Sequence, residues 1–427
     1  MRKLNIAIIG LGNIGCYLFK YLNDNKKILI KKNNCLPVIK YVSAKNKKKK
    51  RNIKIKKGQW LKNYLSATKL KDVDLIIELI GGAEGPAKKL VFEALKNKKH
   101  VVTANKALIA KYGDQLSTIA EKNKVNLEFE ASVCGGVPII RSLKEGLIAN
   151  KISKIYGIFN GTSNYILSSM EKQNKSFEEV LSNAKKLGYA EANPTADLNG
   201  DDVSSKLKIL SSLCFNSFLN NNIYVEGIKN IDKTDIDNAN KLGFKIKLLG
   251  YAELLNNKIY QRVHPTLIKK DSYVASIDGV LNAVIIDGKP VGQSTIQGEG
   301  AGPAATTSAL VSDISSILRG NIKFPFSISS KERKKLKFEK IDDRSFSAYL
   351  RFEVVDKPGI LSNITNIFSK NRVSIKRLVQ NPDKNKKSSS IVIISHDSKD
   401  RSLKKVIKEI EKKNYIKGKP KLIRIND

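Results

Sequence analysis

The chain has 427 residues, of which 41% are hydrophobic and 28% are charged, and its formal net charge is +38. This length exceeds one ordinary hydrophobic core and predicts two or three domains, while the hydrophobic content excludes a largely disordered protein. The lysines are spread over predicted helix faces and loops and form no recognised binding motif, so we expect neither a nucleic-acid nor a membrane partner.

The first predicted element is a short apolar strand that leads into glycines. Residues 4–10, LNIAIIG, are typical of a strand buried on both faces of a parallel sheet, and a helical pattern follows. Between them, GLGNIG at residues 10–15 has the spacing of a dinucleotide-binding turn, in which the helix N-terminus faces the pyrophosphate. A glycine-rich turn without a ligand is the alternative. The predicted cofactor contacts are Gly10, Gly12, Asn13, Ile14 and Gly15.

The end of the second predicted strand bears on the choice of cofactor. Many NAD enzymes carry Asp or Glu there to bind the ribose 2′-hydroxyl, but PVIKYVSAKN at residues 37–46 ends at Lys45. A cation at this point, continued by the basic run at residues 45–57, favours a 2′-phosphate and therefore NADP over NAD. A basic run of this kind is otherwise a solvated loop, which remains the alternative.

Strands and helices continue to alternate through the first third of the chain. A strand precedes a helix that Pro86 opens, and a further strand ends with TANK at Lys106. This alternation predicts a Rossmann-type doubly wound parallel sheet for residues 1–130, in an α/β protein. Ligands of such sheets bind at the carboxyl ends of the strands, so Thr103 and the amine of Lys106 are predicted cofactor contacts.

The middle of the chain begins with a sharp turn. The sequence CGGVP, with Gly135 and Pro138, follows a predicted strand at residues 125–131, and irregular backbone of this kind offers carbonyl groups to a cation. A strand, a turn and an amphipathic helix come next. We expect Thr162 or Ser163 to be the N-cap of that helix.

Four carboxylates gather within residues 187–207 of an otherwise basic chain, together with Lys206. Asp201 and Asp202 fall in the first turn of a predicted helix, where the helix dipole favours negative charge. Lys206 follows Asp202 by one helical turn, so both side chains share one side of the helix, at the border of its apolar stripe. Desolvation there would lower the pKa of Lys206 and Asp202 would partly restore its charge, which suits proton transfer. An ordinary ion pair on an acidic loop is the alternative.

Six motifs, in order along the chain, resemble the homoserine dehydrogenase family: GLGNIG, TANKALIA, ASVCGGVPII, GIFNGTSNYIL, LGYAEANPTADLNGDDVSSKLKIL and GEGAG. The resemblance implies an oxidoreductase that interconverts L-aspartate 4-semialdehyde and L-homoserine with NADP or NAD, in threonine, methionine and isoleucine biosynthesis. It also implies an α+β catalytic and dimerisation domain in residues 131–325, with a helix at about 303–320 that returns to the first domain. A homodimer or homotetramer is expected.

The resemblance assigns roles to individual residues. Lys206 would give a proton to the aldehyde oxygen as hydride arrives, with Asp202 assisting, and Lys106 would meet the substrate carboxylate. Glu191 and Asp197 would bind the ammonium or hydroxyl group of the substrate. The other implied contacts are Gly161 and Thr162 for the substrate, Gly300 for the cofactor, and the backbone carbonyls of Glu130, Val133, Gly135 and Val137 for a sodium-like cation.

Cys134 departs from the family, which commonly has three glycines at this turn. A cysteine near a nicotinamide raises the alternative of a thiolate-dependent semialdehyde dehydrogenase, which needs a base or a positive field to lower the thiol pKa. His264 is a distant candidate for that base. A second alternative is a catalytically silent nucleotide sensor, which would keep the glycines without needing Lys206.

From residue 345 the pattern restarts as βαββαβ and resembles an ACT domain, a ferredoxin-like module that often binds amino acids and pairs with copies of itself. The domain is expected over residues 345–427, after a polar linker, with Asp356 of the DKPGIL turn as the cap of its first helix. The resemblance implies threonine as the effector. A dimerisation module without a ligand is the alternative.

Cysteine usage and hydropathy indicate a reduced, cytoplasmic setting. The four cysteines show neither CxxC nor zinc-site spacing, and the sequence has only three histidines. No apolar run reaches the roughly 18 residues that a membrane span needs.

Overall fold

The structure is a computed structural model that describes residues 1–383 and 388–426. None of the helices in these two ranges has the length and apolar character that a bilayer crossing requires. The strands are β1 (Arg2–Ile9), β2 (Cys35–Ser43), β3 (Leu75–Glu78), β4 (His100–Thr103), β5 (Leu127–Glu128), β6 (Lys151–Ile158), β7 (Tyr224–Val225), β8 (Phe244–Leu255), β9 (Lys258–Lys269), β10 (Leu281–Lys289), β11 (Gly292–Glu299), β12 (Lys337–Phe338), β13 (Ser345–Phe346), β14 (Ala348–Val355), β15 (Ile375–Asp383), β16 (Ser388–Ser395), β17 (Ser398–Lys399) and β18 (Lys421–Asn426). The helices are α1 (Asn13–Asp24), α2 (Lys26–Asn33), α3 (Pro86–Lys96), α4 (Lys106–Lys122), α5 (Ile139–Arg141), α6 (Gly161–Gln173), α7 (Phe177–Lys186), α8 (Thr195–Asn199), α9 (Asp201–Cys214), α10 (Lys233–Lys241), α11 (Pro303–Leu318), α12 (Ile360–Lys370) and α13 (Asp400–Glu411).

The first part of the chain forms a five-stranded parallel sheet in the order β2-β1-β3-β4-β5, which confirms the predicted doubly wound fold. The second half of β1, residues 6–9, is entirely apolar and is covered on both faces, with Ile6 and Ile8 fully buried. Helix α11 returns from far along the chain to cover one face. Its Leu310 and Ile314 belong to the same buried cluster as Leu18 of α1.

Two strand ends differ from their predicted positions. Strand β2 stops before Lys45, which therefore lies in the loop beyond the strand. Strand β4 ends at Thr103, and Lys106 begins α4 instead of ending the strand. The reason is Asn105, whose side-chain Oδ1 accepts a hydrogen bond from the N–H of Leu108 at 3.1 Å and so caps α4.

The middle of the chain forms an antiparallel layer in the order β11-β10-β6-β8-β9. Helices α6 and α9 pack on this layer, and α9 also contacts α4 of the first unit. The apolar stripe of α9, with Val203 and Leu207, is fully buried beside Phe159. This packing holds α9 between the antiparallel layer and the parallel sheet.

The C-terminal part forms the predicted βαββαβ module, with strands in the order β18-β14-β16-β15. Asp356 is not the cap of α12, which corrects the prediction, because Gly359 occupies the N-cap position at a φ of +84° and offers no side chain. Strand β18 also pairs in parallel with β9, beginning with Arg424 beside Thr266. The module and the middle layer therefore share one continuous sheet.

Candidate active site

Two neighbouring cavities lie where the parallel sheet meets the middle layer. The larger has a volume of about 660 Å³ and the smaller about 400 Å³, and both are lined by Ile14 and Ala104. The larger cavity collects most of the predicted substrate and catalytic residues. Its lining includes Lys106, Gly135, Gly161, Thr162, Glu191, Asp197, Asp202, Lys206 and Gly300, and that of the smaller includes Gly12, Asn13, Ile14 and Gly15. The predicted residues that line neither are Gly10, Lys45, Thr103, Glu130, Val133 and Val137.

The glycine turn between β1 and α1 has the shape that a dinucleotide needs. A Cβ on Gly10, whose φ is +116°, would lie 2.3 Å from the carbonyl oxygen of Leu79, and a Cβ on Gly15 would lie 2.0 Å from that of Gly10. Gly12 differs, because a Cβ there would meet no atom within 4 Å, and it gives α1 no side-chain cap. The N-terminus of α1 therefore opens onto the smaller cavity, as pyrophosphate binding requires.

Glu78 is a cavity residue that the sequence analysis missed. It ends β3, lines the smaller cavity, and its Oε1 accepts hydrogen bonds from the N–H groups of Ile80 at 2.7 Å and Gly81 at 3.0 Å. Its Oε2 accepts from the hydroxyl of Thr103 at 2.6 Å, which explains why Thr103 is buried beneath the cavity wall. The sequence signal that could have identified Glu78 is its position as a carboxylate at the carboxyl end of an apolar strand.

Lys206 and Asp202 form a buried ion pair at the wall of the larger cavity. The Nζ of Lys206 lies 2.8 Å from Oδ2 of Asp202 and donates to the carbonyl of Phe159 at 2.6 Å. The other carboxylate oxygen, Oδ1, lies 2.9 Å from Nζ of Lys106. Lys206 is 8% exposed, whereas the side chain of Lys106 is 42% exposed. Asp202 thus holds one buried and one solvent-accessible ammonium group.

Asn160 connects the acidic residues of this site, and the sequence analysis did not single it out. Its Nδ2 donates to Asp197 at 2.7 Å and to Asp202 at 2.8 Å. Its Oδ1 accepts from the N–H of Ser163 at 2.7 Å, so Asn160 caps α6 and the predicted capping by Thr162 or Ser163 is wrong. Asparagine before a glycine turn is a favoured N-cap, so the local signal was present.

The remaining acidic residues stand on the segment that precedes α9. The hydroxyl of Thr162 donates to the carbonyl of Tyr189 at 2.7 Å, which ties this segment to α6. Glu191 follows as an exposed side chain that lines the larger cavity, and Asp197 on α8 is half-buried in the same lining. Two carboxylates thus reach the cavity at different depths.

The charges of the pair follow from its burial and from its contacts. Burial raises the pKa of Asp202, but the ammonium groups of Lys206 and Lys106 outweigh burial and hold this pKa well below its usual range. Burial lowers the pKa of Lys206, but Asp202 outweighs burial and the net pKa is raised. This corrects the expectation of a lowered pKa, because a carboxylate at 2.8 Å more than compensates for desolvation. Lys206 is therefore an ammonium ion and can act as an acid.

Comparison with known proteins gives a consistent result along the whole chain. Family models match at residues 10–130 (homoserine dehydrogenase, NAD binding domain), 138–315 (homoserine dehydrogenase) and 348–414 (ACT domain). The chain is 38% identical to the homoserine dehydrogenase of Neisseria gonorrhoeae, in an alignment that covers 100% of this chain and 99% of that relative. It is 35% identical to the homoserine dehydrogenase of Bacillus subtilis, in an alignment that covers 96% of this chain and 95% of that relative. The crystal structure of a homoserine dehydrogenase from Thiobacillus denitrificans matches with a TM-score of 0.92 and 34% identity, over 100% of this chain and 99% of that one. The chain belongs to the homoserine dehydrogenase family.

Membership of the homoserine dehydrogenase family confirms the main functional inference from the sequence. The chain is an oxidoreductase of the aspartate pathway that interconverts L-aspartate 4-semialdehyde and L-homoserine with a nicotinamide cofactor. The ACT domain is confirmed as well.

Cys134 does not provide the thiolate that the alternative dehydrogenase would need. The side chain is fully buried, and burial raises the pKa of its thiol although Lys206 lowers it in part. The ring of His264 contacts Arg262 and Thr266, and burial and neighbouring guanidinium groups keep its pKa well below the usual range. The raised pKa of the buried thiol disfavours thiolate chemistry in this homoserine dehydrogenase.

The turn that carries Cys134 packs directly against the segment before α11. Cys134 has a φ of +54°, in the left-handed region that favours glycine, so the departure from the three glycines of the family strains the backbone here. A Cβ on Gly135 would lie 2.7 Å from the carbonyl oxygen of Gly300, and the N–H of Gly136 donates to Glu299 at 2.8 Å. The two backbones touch, which places Gly300 at the wall of the larger cavity.

Proposed function

We propose that Lys206 is the general acid of the reaction. It protonates the aldehyde oxygen of L-aspartate 4-semialdehyde as hydride reaches the carbonyl carbon, and in reverse it accepts the hydroxyl proton of L-homoserine. The bound nicotinamide cofactor supplies or accepts the hydride. The observation that carries this proposal is the buried Lys206–Asp202 pair on the wall of a cavity that shares Ile14 and Ala104 with the nucleotide cavity.

Asp202 and the carbonyl of Phe159 position this acid. Both accept hydrogen bonds from the ammonium group of Lys206, at 2.8 Å and 2.6 Å, and so restrict the direction in which its remaining proton can be given. The negative charge of Asp202 keeps Lys206 protonated in a buried setting. Asn160 donates to the same oxygen of Asp202, Oδ2, at 2.8 Å and so helps to fix this carboxylate.

The same cavity provides opposite charges for the two ends of an amino-acid substrate. Glu191 and Asp197 bind the ammonium group, and the half-exposed ammonium of Lys106 binds the carboxylate. The backbone N–H groups of Gly161 and Thr162, at the N-terminus of α6, add to the positive potential at that end. The substrate is thereby oriented with its aldehyde towards Lys206.

Spectrophotometric turnover with L-homoserine tests the proposal. The chain should reduce NADP or NAD in a homoserine-dependent reaction. Tight nucleotide binding without any such turnover would contradict the proposal and favour a nucleotide sensor.

Replacing Gly12 with valine should weaken nicotinamide binding without destabilising the fold. An added Cβ at this position would meet no protein atom within 4 Å, so the new side chain enters the open space of the smaller cavity, where the pyrophosphate belongs. We expect the KM for the nicotinamide to rise by at least about tenfold, since displaced phosphate contacts cost roughly 1.5–3 kcal/mol, while the melting temperature stays within a few degrees. Initial rates and thermal denaturation measure the two effects. Gly58→Val is the control, because Gly58 is also open but lies outside both cavities; equal effects of both variants would contradict the assignment.

NADP preference is the finer part of the cofactor proposal. The basic loop that follows β2 is tied to the glycine turn by Arg51, whose Nε donates to the carbonyl of Leu11 at 3.1 Å and whose Nη2 donates to that of Asn46 at 2.7 Å. This anchoring supports a positive field beside the ribose end of the nucleotide site. Lys45 begins the same loop.

Lys45→Asp should shift the cofactor preference from NADP towards NAD. A carboxylate at this position repels a 2′-phosphate and accepts a hydrogen bond from a ribose hydroxyl. We expect the ratio of kcat/KM for NADP to that for NAD to fall by about tenfold or more, because a charge-assisted phosphate contact is worth roughly 1.5–3 kcal/mol. Lys54→Asp, an exposed change of equal charge further along the loop, should leave the ratio nearly unchanged. Equal values of kcat/KM for NADP and NAD in the native enzyme would contradict the proposed preference for NADP.

A sodium-like cation at the turn after β5 completes the site that we propose. Its ligands would be backbone carbonyls of Glu130, Val133, Gly135 and Val137. The carbonyl of Glu130 accepts one hydrogen bond from the N–H of Val133 at 3.3 Å, and that of Val137 accepts one from Ile139 at 2.7 Å. Each of these oxygens keeps a second lone pair, so the donor set fits a cation.

Regulation and assembly are the last parts of the proposal. We infer that threonine is the effector of the ACT domain and that the enzyme is a homodimer or homotetramer. Both inferences are supported by the ACT match at residues 348–414.

A further inference from the structure

A small cavity lies at the junction of the middle layer, the polar linker and the ACT domain. Its volume is about 220 Å³, which is about half that of the smaller active-site cavity, at about 400 Å³. We call it the junction pocket, and its polar lining includes Glu253, Tyr260, Arg262, Arg344, Asp397 and Asn426. The space is too small for a nucleotide and suits a molecule of the size of one amino acid.

Arg262 in this pocket is a buried cation without a carboxylate partner. It is 2% exposed, and within residues 1–383 and 388–426 no ion pair involves it. Its Nη1 contacts the imidazole of His264 at 2.6 Å, its Nη2 donates to the amide oxygen of Asn426 at 2.9 Å, and its Nε is buried without a hydrogen-bond acceptor. Burying a charge without a partner of opposite charge costs free energy, so an anion bound to this guanidinium would stabilise it.

The two guanidinium groups nearby do have carboxylate partners. Arg424 contacts Asp400 at 2.6 Å and Glu226 at 2.9 Å. Arg344 contacts Glu253 at 3.0 Å and Glu339 at 2.9 Å. The missing negative charge is therefore specific to Arg262, which lines the junction pocket.

Tyr260 provides a second unsatisfied group in the same place. It is 2% exposed, and its hydroxyl is buried without any hydrogen-bond partner among the described residues. A hydroxyl left unpaired in the interior costs about 1–3 kcal/mol, so such groups are rare unless something binds them. Glu253 lies beside Tyr260 across the β8–β9 pair and contacts Arg344, and its carboxylate and that of Asp397 can accept hydrogen bonds from a cationic group in the pocket.

We propose that the junction pocket binds a small α-amino acid. Its carboxylate is held by the guanidinium of Arg262 and the hydroxyl of Tyr260, and its ammonium group by Glu253 and Asp397. The pocket is separate from the active-site cavity and from the DKPGIL turn of the ACT domain, none of whose residues line it.

The position of the pocket connects it to the catalytic helix through a single strand. Side chains alternate between the two faces of a strand, and Arg262 of β9 lies between Gln261 and Val263. Gln261 accepts a hydrogen bond from Ser211 of α9 at 2.7 Å, and Val263 lies 3.1 Å from the Cβ position of Gly200, the N-cap of α9. A ligand on Arg262 therefore sits behind the strand that supports α9.

Isothermal titration calorimetry on the full chain without nucleotide tests this proposal, with L-threonine, L-isoleucine and L-methionine as separate probes. At least one of them should bind, and 2-hydroxybutyrate, which lacks the ammonium group, should bind much more weakly. Tyr260→Phe should weaken binding by about tenfold, and Arg262→Met by roughly 10–150-fold, as expected for a neutral and a charged hydrogen bond. Tyr260→Phe should not lower the melting temperature of the ligand-free protein, because it removes a buried hydroxyl that has no hydrogen-bond partner among the described residues.

Two control variants separate this site from others. Tyr415→Phe also removes a buried unpaired hydroxyl but lies outside the pocket, so binding should be unchanged. Lys206→Met should bind the probe normally even though turnover is lost, so failure of the catalytic proposal cannot be mistaken for failure of this one. Absence of binding by all three amino acids would overturn the proposal, and so would unchanged affinity in Arg262→Met together with lost affinity in Asp356→Ala.

Discussion

Lys206→Met should abolish nearly all turnover while leaving nicotinamide binding intact. Loss of a positioned general acid typically lowers kcat by ~10²–10⁴-fold. Among the described residues that line the cavity, the one other lysine is Lys106, whose side chain is 42% exposed. Methionine fills a similar volume, and Asp202 keeps contacts with Lys106 and Asn160, so the fold should survive. Initial rates in both directions measure kcat, and fluorescence titration with NADPH measures binding.

Lys208→Met is the matched control for this change. Lys208 is the other lysine of α9, and its amine contacts Asn221 on the outer side of the helix instead of the cavity. Its kcat should stay within about twofold of the native value, since surface changes away from a site have small effects. A comparable loss of kcat in both variants, or substantial turnover in Lys206→Met, would contradict the proposal that Lys206 is the general acid.

Asp202→Asn should change the pH dependence of the reaction as well as its rate. Asp202 raises the pKa of Lys206 against the effect of burial, so its removal leaves desolvation to lower that pKa. The reduction of aldehyde needs the ammonium form, and its alkaline limb should therefore move to lower pH. Above the displaced limb we expect kcat/KM for reduction to fall about tenfold for each unit of pH, since one protonated group is required. Homoserine oxidation needs the neutral amine and should lose less.

The pH profile distinguishes this role from a purely structural one. A damaged fold would lower both directions equally at every pH and would weaken NADPH binding. Asp201→Asn is the control, because Asp201 precedes Asp202 in the same helical turn but is exposed, and we expect no displacement of the profile. An unmoved alkaline limb in Asp202→Asn would show that Asp202 does not set the charge of Lys206.

Local sequence patterns predicted the parts of the site that lie close together along the chain. The glycine turn, the pair of Asp202 and Lys206 and the ACT module all depend on short spacings, and the structure shows each of them. The pKa of Lys206 was predicted in the wrong direction, because the distance to Asp202 determines whether burial or attraction prevails. A spacing of four residues does not reveal that distance.

The contacts that the sequence did not reveal join residues that are far apart in the chain. Asn160 bonds Asp197 and Asp202, which follow it by about 40 residues, and the packing of α8 on α6 and of α9 on β6 brings them together. Likewise, Arg262 meets Asn426 only because β18 pairs with β9. No periodic pattern in either segment indicates its distant partner.

The shared sheet also constrains how this polypeptide is made. Residues 266–268 of β9 obtain their parallel neighbour from β18, which follows about 150 residues later and so leaves the ribosome roughly 10–30 s afterwards. During that interval the backbone of an apolar strand remains unpaired along this edge, and such an edge readily joins the same edge of another nascent chain. We therefore expect a chain that stops short of residue 421 to leave this edge of β9 unpaired and to aggregate more readily than the full chain, which size-exclusion chromatography of the two would measure.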